Sequence, residues 1–285
     1  MIAMTGAAGK TGRALLAQLV RRGADVRVLV RRPEQAAVLT AAGAAEAVLG
    51  DMTDAAALSQ LLNGASAVYH ICPNLHPAEA EVTQAMVTAC RAAGAVRLVY
   101  HSVLHPQTEA MPHHWAKLRS EELIFQSGVP FTILQPAAYM QNLRAYWPAM
   151  TADGVYRVPY AVTTRIGMVD LRDVAQAAAL VLLDSRHTYG IYELATGERH
   201  SQTEVAALAA QALGRPVQAE AVDRAHWAAA ARRNGLGGGA VDILLRMFDY
   251  YERYGFGGNG FVLAALLGRP PATLQTYLAQ LAAGG

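Results

Sequence analysis

The sequence predicts an α/β fold built on a doubly wound parallel sheet and followed by a smaller, mainly helical C-terminal lobe. Through the first half of the 285 residues, short runs rich in β-branched residues alternate with longer alanine- and leucine-rich stretches of helical period. This alternation is typical of parallel strands joined by crossover helices. Hydrophobic residues make up 53% of the chain and charged residues 16%, a balance that suits a buried sheet covered by apolar helices.

The first half supplies most of the sheet. Strands are predicted over residues 1–5, 25–30, 47–49, 67–71, 96–102 and 131–134. Helices are predicted between them, over residues 12–22, 33–42, 55–62, 77–93 and 114–127. In such a sheet, ligands bind outside the carboxyl ends of the strands, so the residues that follow each strand are the first candidates for a functional site.

The pattern becomes less regular after Pro136. The segment 137–165 is rich in Tyr, Trp, Met and Pro, and a helix over 169–183 and a strand over 191–194 are predicted to return to the sheet. From residue 201 onward the pattern is helical, and the sequence Ser201-Gln202-Thr203-Glu204 predicts a capping box.

Glycines divide this helical region. The glycine-rich segments 235–239 and 255–260 are predicted to be loops. The sequence Gly268-Arg269-Pro270-Pro271 predicts the end of one helix before a last helix begins.

Charge and cysteine content exclude several classes of protein. The net charge of +2 is too small for a surface that tracks phosphates, so no nucleic-acid partner is expected. The two cysteines, Cys72 and Cys90, cannot form a disulfide framework and show no metal-ligand spacing. Every apolar run is interrupted before the roughly 18 to 20 residues that a membrane span needs. We expect a soluble, cytoplasmic protein with neither a secretory signal nor a membrane anchor.

Three glycines, three residues apart, directly follow the first predicted strand in the sequence Thr5-Gly6-Ala7-Ala8-Gly9-Lys10-Thr11-Gly12. Gly6 can take a tight turn, Gly9 lets a pyrophosphate approach the backbone, and Gly12 lets the helix pack closely on the strand. The start of the following helix presents unpaired N–H groups to the anion. The segment therefore predicts dinucleotide binding, and a glycine-rich turn without a ligand is the alternative. The predicted contacts here are Gly6, Ala8, Gly9, Lys10, Thr11 and Gly12.

The end of the second strand indicates which dinucleotide is bound. An acidic side chain there would bind the ribose hydroxyls of NAD, whereas a cationic one favours the 2′-phosphate of NADP. The strand ends in Val30-Arg31-Arg32-Pro33, without a carboxylate. Arg31, supported by Arg32 and Lys10, therefore favours NADP(H), and a solvated basic loop is the alternative. Further cofactor contacts are predicted after the other strands, at Asp51, Met52, Ile71, Cys72, Pro73, Pro136 and Ala137.

Several motifs together resemble one family. They are the glycine turn, the arginine after the second strand, Val99-Tyr100-His101-Ser102, Lys117 with Glu121, and the segments 128–142 and 169–175. With them the chain resembles, over nearly its whole length, the NmrA-like branch of the atypical short-chain dehydrogenase/reductases. The resemblance implies a Rossmann domain that binds NADP(H) and a substrate-binding lobe. We assign 1–136, with parts of 165–195, to the domain and 137–164 with 196–285 to the lobe.

That family includes quinone and dye reductases, reductases of plant phenolics, and members that bind the cofactor to sense redox state. We therefore expect an NADP(H)-dependent oxidoreductase that reduces a small aromatic or conjugated electrophile, such as a quinone, enone or imine, and acts as a monomer or homodimer. Two alternatives stay open: a redox sensor that contacts a protein partner, and a non-redox isomerase or lyase that retains the cofactor.

The resemblance also bears on the reaction centre. In the wider superfamily a Tyr-x-x-x-Lys pair supplies a proton and holds the nicotinamide ribose, and a Ser or Thr after the fifth strand orients the substrate. Lys117 and Ser102 match this pattern, but His113 stands where the tyrosine would be. The proton donor is left open among His113, Tyr139 and water. Alternatively, Lys117 is an exposed i,i+4 partner of Glu121, and Ser102 only forms a turn.

The segment after the sixth strand is predicted to pass over the nicotinamide and to line an apolar pocket. The residues assigned to substrate binding are Tyr139, Met140, Asn142, Tyr146 and Trp147. Three later aromatic residues at helical spacing, Phe248, Tyr251 and Tyr254, are predicted to pack the second lobe or a dimer contact. His101 and His105, which flank Ser102, are predicted to be structural or surface residues.

Overall fold

A computed structural model describes residues 1–284. Its strands are β1 (Ile2–Met4), β2 (Val26–Val30), β3 (Glu46–Leu49), β4 (Ala67–His70), β5 (Arg97–His101), β6 (Phe131–Pro136), β7 (Ala138–Tyr139), β8 (Val155–Val158), β9 (Met168–Val169), β10 (Ile191–Leu194) and β11 (Gln218–Ala221). Its α-helices are α1 (Lys10–Val20), α2 (Pro33–Ala41), α3 (Ala55–Leu62), α4 (Glu79–Ala92), α5 (Pro112–Phe125), α6 (Trp147–Asp153), α7 (Leu171–Leu183), α8 (Gln202–Leu213), α9 (Arg224–Arg233), α10 (Gly238–Tyr254), α11 (Phe261–Leu267) and α12 (Leu274–Ala282). Within residues 1–284, no helix combines the length and the hydropathy needed to cross a bilayer.

Seven strands form one sheet in the order β10-β6-β5-β4-β1-β2-β3. The pairs β1–β2, β2–β3, β1–β4, β4–β5 and β5–β6 are all parallel. The chain runs outward from β1 to β3 and then returns to β4 on the other side of β1, which is the doubly wound arrangement. The predicted fold class is therefore confirmed. The change of direction between β1 and β4 places a crevice at the carboxyl ends of these strands, beside the glycine turn.

The described chain divides into two compact units. The first unit contains residues 1–107, 114–135 and 174–192. The second contains residues 108–113, 136–173 and the chain from residue 193 onward.

Apolar packing between the sheet and its helices holds the first unit together. One buried cluster gathers residues of the sheet and of α3, α4 and α5, including Leu58, Val68, Met86, Leu98 and Ile124. Burial of this apolar surface is the main stabilising contribution, at roughly 25 cal/mol per Å².

The buried guanidinium of Arg97 joins β5 to α7. It donates hydrogen bonds to the carbonyl oxygens of Val181 at 2.8 Å and Leu182 at 2.7 Å. The last carbonyl groups of a helix have no partner within the helix, and these bonds supply one at the C-terminus of α7. The helix dipole also favours a cation at this end.

The second unit contains two small parallel pairs, β11–β8 and β7–β9, together with the helices α8 to α12. The capping box predicted at Ser201 is confirmed, because its hydroxyl accepts from the N–H of Glu204 and the Glu204 carboxylate accepts from the N–H of Ser201. Buried Asp173 accepts from Arg269 and from the N–H of Ala272, both at 2.6 Å, and so fixes the segment that leads into α12.

Several predicted boundaries are wrong. Helix α1 begins at residue 10 rather than 12, and α5 begins at residue 112 rather than 114. The segment 235–239 is not entirely a loop, because Gly238 and Gly239 form the first turn of α10. Glycine costs least at a helix end, where the N–H groups need no partner within the helix. The short strands β7, β8, β9 and β11 were not predicted, because they lie in the irregular segment after Pro136 or within the region whose pattern is helical.

Candidate functional site

The glycine turn between β1 and α1 is shaped by contacts that leave no room for side chains at two of its glycines. Gly6 has a φ of +62°, and a Cβ on it would overlap the side chain of Ile71. A Cβ on Gly12 would overlap the backbone at Gly6 and Ala7. Gly6 and Gly12 are therefore required by the fold of the turn itself.

Gly9 differs from the other two glycines. A Cβ on it would approach only the carbonyl oxygen of Gly6, at 3.3 Å, and its φ is −77°. Gly9 caps α1 without a side-chain hydrogen bond, and it is exposed together with Lys10, while Ala8 is half-buried. The start of α1 therefore offers backbone N–H groups beside Gly9, where a side chain would meet one tight contact rather than the overlaps found at Gly6 and Gly12. This is the arrangement that a pyrophosphate needs at a helix N-terminus, and the turn fits a dinucleotide.

The residues predicted to contact the rest of the dinucleotide follow neighbouring strands of the same unit. Arg31 and Arg32 follow β2 and are exposed. After β3, the carboxylate of Asp51 accepts from the Oγ1 and N–H of Thr53 at 2.9 and 3.1 Å, and these bonds hold its pKa below the usual range. Half-buried Met52 lies beside it.

The residues after β4 line the same edge of the sheet. The N–H of Ile71 donates to Thr5 Oγ1 at 3.0 Å, which ties this segment to the glycine turn. Cys72 is buried, and burial raises the pKa of its thiol to about 12, so it stays neutral. Pro73 follows and is exposed.

Lys117 is held in a buried ion pair. Its Nζ donates to Glu79 Oε1 at 2.6 Å and to the carbonyl oxygen of His101 at 3.1 Å, and it lies 5.1 Å from the ring centre of Tyr100. The side chains of Lys117 and Glu79 are only 13% and 4% exposed. The alternative of an exposed pair between Lys117 and Glu121 is therefore wrong, because this face of α5 packs toward α4 and not toward solvent.

Glu121 takes part in a different set of contacts. Its carboxylate accepts hydrogen bonds from the Ser102 hydroxyl and from Gln135 Nε2, the latter at 2.9 Å to Oε1 and 3.1 Å to Oε2. All three side chains are buried. Burial raises the pKa of Glu121 above its usual value, although its hydrogen bonds and the positive charge of Lys117 act in the opposite direction. Ser102 is therefore more than a turn former, since its hydroxyl is hydrogen-bonded to the carboxyl group of Glu121.

Three buried histidines surround this centre in the first unit. Nδ1 of His70 lies 3.1 Å from Thr5 Oγ1, His101 Nδ1 is hydrogen-bonded to the Tyr69 hydroxyl, and His114 Nδ1 lies 3.2 Å from a backbone carbonyl oxygen. Burial lowers the pKa of His70 and of His101 to about 3 and that of His114 to about 4. All three are neutral near pH 7, and the position of His101 agrees with a structural role.

The remaining predicted residues belong to the second unit. Tyr139 lies in β7, opposite Val169 of β9, and is half-buried. His113 lies in the first turn of α5. The other members of this group are Pro136 at the end of β6, Ala137 between β6 and β7, Met140 and Asn142 in a 3-10 turn, Tyr146, and Trp147 at the start of α6.

The aromatic residues of this unit mostly pack against one another. Phe248 and Tyr251 are buried, with the Trp227 ring 4.8 Å from that of Phe248. Tyr254 is 60% exposed and contacts the ring of Tyr250, at 4.9 Å between ring centres, so only two members of the predicted stripe are buried. Tyr146 packs edge-on against Tyr156, at 5.1 Å between ring centres.

Two residues of this centre were missed by the sequence analysis. Nothing in the sequence distinguishes Glu79 from Glu81, which lies two residues further along the same helix. Glu81 is exposed, whereas Glu79 is buried. Gln135 lies inside a motif that was recognised, but nothing in the pattern showed that its amide faces Glu121. Among residues 1–284, no group of three or more His, Cys, Asp or Glu side chains is arranged to hold a metal ion.

Comparison with known proteins gives consistent results. Residues 1–256 match the sequence model of the NmrA-like family. The chain is 29% identical to quinone oxidoreductase 2 of Escherichia coli over 283 residues, covering 99% of this chain and 98% of that one. It is 32% identical, over 235 residues and 81% of each chain, to a Streptomyces griseus protein named as (4-alkanoyl-5-oxo-2,5-dihydrofuran-3-yl)methyl phosphate reductase. The crystal structure of NADPH-dependent quinone oxidoreductase from Escherichia coli in complex with NADPH superimposes with a TM-score of 0.87, covering 99% of both chains at 29% identity.

Proposed function

This chain belongs to the NmrA-like family, and we propose that it is an NADPH-dependent reductase of quinones and related small conjugated electrophiles. The observation that carries the proposal is the glycine turn at the start of α1. Packing requires glycine at positions 6 and 12, whereas Gly9 leaves the helix N-terminus open to an anion. Similarity over the full length to a quinone oxidoreductase, at 29% identity, supports the same activity.

The cofactor would be held by this chain as follows. The backbone at Gly9 and the first N–H groups of α1 bind the pyrophosphate, and Arg31, with Arg32 and Lys10 nearby, binds the 2′-phosphate. Asp51 and Met52 bind the adenine end. When bound, NADPH supplies the hydride for reduction of the substrate.

Lys117 is proposed to bind the nicotinamide ribose. An ammonium group has three N–H donors, and two of those on Lys117 are directed at Glu79 and at a carbonyl oxygen. The ion pair fixes the position of Nζ and leaves one donor for a ligand. Because the ion pair with Glu79 stabilises the buried ammonium group of Lys117 in one position, the ribose would bind to a fixed donor rather than a mobile one.

The second unit is proposed to bind the substrate through Tyr139, Met140, Asn142, Tyr146 and Trp147. Aromatic and apolar side chains suit a planar acceptor, and the hydroxyl and amide groups can orient it. We also propose that the first unit serves as the cofactor-binding domain, and that the protein acts in the cytoplasm as a monomer or homodimer without a nucleic-acid partner. The net charge of +2 supports the last of these points.

The proposal is tested by titrating the purified protein with NADPH and NADH, followed by turnover with 2-methyl-1,4-naphthoquinone. We expect saturable binding that favours NADPH and consumption of NADPH that depends on the quinone. Arg31→Ala should weaken NADPH binding by roughly 10- to 100-fold and NADH binding little, because one charge-assisted phosphate contact contributes about 1.5–3 kcal/mol. Arg21→Ala, which removes an exposed cation at the other end of α1, is the matched control.

Equal loss of both coenzymes in Arg31→Ala would contradict the assignment of the 2′-phosphate site. Absence of saturable binding of either coenzyme would overturn the proposed function. Binding without turnover of any quinone or enone would favour a redox sensor.

A further inference from the structure

Ser102 and Gln135 are both hydrogen-bonded to Glu121 at the carboxyl ends of β5 and β6. Ser102 directly follows β5, Gln135 lies at the end of β6, and Glu121 reaches both from α5. Ser102 and Glu121 are each 3% exposed. This is the edge of the sheet at which a doubly wound fold binds its ligands.

Glu121 has no buried cation as a direct partner in this set. The groups facing it are the Ser102 hydroxyl from β5 and the Gln135 amide from β6, while Lys117 lies one turn away on α5 and is directed at Glu79. Burying a carboxylate without a paired cation is costly, and a neutral side chain could link the same strands at lower cost. The use of an ionisable group here therefore requires an explanation beyond packing.

The direction of the Ser102 proton depends on the protonation state of Glu121. A carboxylate can only accept, so the Ser102 hydroxyl must then donate to Glu121, and its oxygen can offer a ligand nothing but lone pairs. A protonated Glu121 can instead donate to Ser102 Oγ. The Ser102 proton is then released to point outward, where it can donate to a substrate oxygen.

We propose that Ser102 protonates the reduced substrate and that Glu121, acting through Ser102, is the positioning residue that supplies the replacement proton. This inference rests on the proposed reductase function. Ser102 is thus a candidate proton donor in addition to His113, Tyr139 and water.

A quinone carbonyl that has accepted a hydride carries negative charge on an oxygen. The Ser102 O–H bond breaks as the new substrate O–H bond forms, and the Glu121 O–H bond breaks as the Ser102 O–H bond is restored. Glu121 is left as a carboxylate whose two oxygens share a hydrogen bond from the Gln135 amide, and it regains a proton from water before the next turnover.

The burial of Glu121 supports this scheme, because its raised pKa keeps the carboxyl protonated to a higher pH than an exposed glutamate. Gln135 limits the cost of the carboxylate that forms, since its amide nitrogen lies within hydrogen-bond distance of both carboxyl oxygens, at 2.9 and 3.1 Å.

The test compares Glu121→Gln with wild type, and uses Glu122→Gln as the matched control. Glu122 is the next residue on α5, it is 46% exposed, and it pairs with Arg119 on the surface. We expect Glu121→Gln to lower kcat with 2-methyl-1,4-naphthoquinone by about 100-fold, the size of a general-acid contribution. The fall in wild-type kcat on raising the pH should disappear in this variant, and the Kd for NADPH should stay the same.

A readout without turnover examines Glu121 directly. In infrared spectra recorded in deuterated buffer as the pH is lowered, the carbonyl stretch of protonated Glu121 should appear at a higher pH than that of an exposed glutamate. This band should be lost in Glu121→Gln and kept in Glu122→Gln. Ser102→Ala should lose kcat to the same extent as Glu121→Gln, whereas Ser102→Thr, which retains the hydroxyl, should recover most of it.

The results separate this inference from the proposed function. If wild type reduces the quinone and Glu121→Gln keeps both kcat and the high-pH fall, the inference is wrong and the reductase function stands. The inference is also wrong if the infrared band is absent or survives in Glu121→Gln. If wild type binds NADPH but reduces no quinone, the proposed function fails first, and the band still reports whether Glu121 is protonated.

Discussion

Acidification should destabilise the first unit because His70, His101 and His114 are buried as neutral side chains. Their pKa values in the folded protein, about 3, 3 and 4, lie below the ordinary value of 6.5 that applies after unfolding. Between these limits the unfolded chain binds more protons than the folded one, so the stability contribution is present above about pH 6.5 and is lost as the pH falls.

The magnitude follows from the linkage relation. Each histidine contributes a loss of about 1.4 kcal/mol per pH unit once the pH is well below the unfolded pKa. Between about pH 7.5 and pH 5.5 the three together should lower the free energy of unfolding by about 4 kcal/mol, a large part of the typical 5–15 kcal/mol. Glu121 acts in the opposite direction. Because its pKa is raised in the folded state, it binds a proton more readily in the folded than in the unfolded chain, which stabilises the fold as the pH falls.

The assay is urea unfolding followed by circular dichroism at several values of pH. Each histidine accounts for about a third of the expected slope, so His70→Phe should reduce the loss on acidification by that fraction. The exposed residue His226 provides a control, because His226→Gln should leave the slope unchanged. Equal stability at about pH 7.5 and pH 5.5, or a full slope in His70→Phe, would refute the reasoning.

Three further predictions concern the frame of the site. Arg97→Met should lower the free energy of unfolding by about 2–4 kcal/mol, because two buried carbonyls at the end of α7 lose their donor; a change below about 0.5 kcal/mol in urea unfolding would contradict this. Gly12→Ala should lower the melting temperature by several degrees, whereas Gly9→Ala should leave it nearly unchanged and weaken NADPH binding; equal melting temperatures would refute the contrast. Asp173→Asn removes the buried charge that holds Arg269, so α12 should become more sensitive to limited proteolysis, and an unchanged cleavage rate would argue against that role.

The glycine turn is a feature that the sequence predicted correctly. Local rules predicted its position after β1, because glycine spacing and the switch from strand to helix are properties of neighbouring residues. The same rules located Arg31 at the end of β2 and Ser102 at the end of β5. They were less accurate at the helix starts and at Gly238, where a residue with low helix propensity begins α10 because helix ends tolerate it.

The sequence by itself determined the doubly wound sheet, the glycine turn and the preference for a phosphorylated dinucleotide, since each depends on residue types at short spacing along one strand or helix. The pairing of charges inside the first unit was decided only by tertiary structure. Spacing of four residues allowed a contact between Lys117 and Glu121 as an alternative, yet Lys117 pairs with Glu79 and Glu121 binds Ser102 and Gln135. Which buried groups meet depends on how separate helices and strands pack, and no local pattern encodes contacts between residues so distant in the chain.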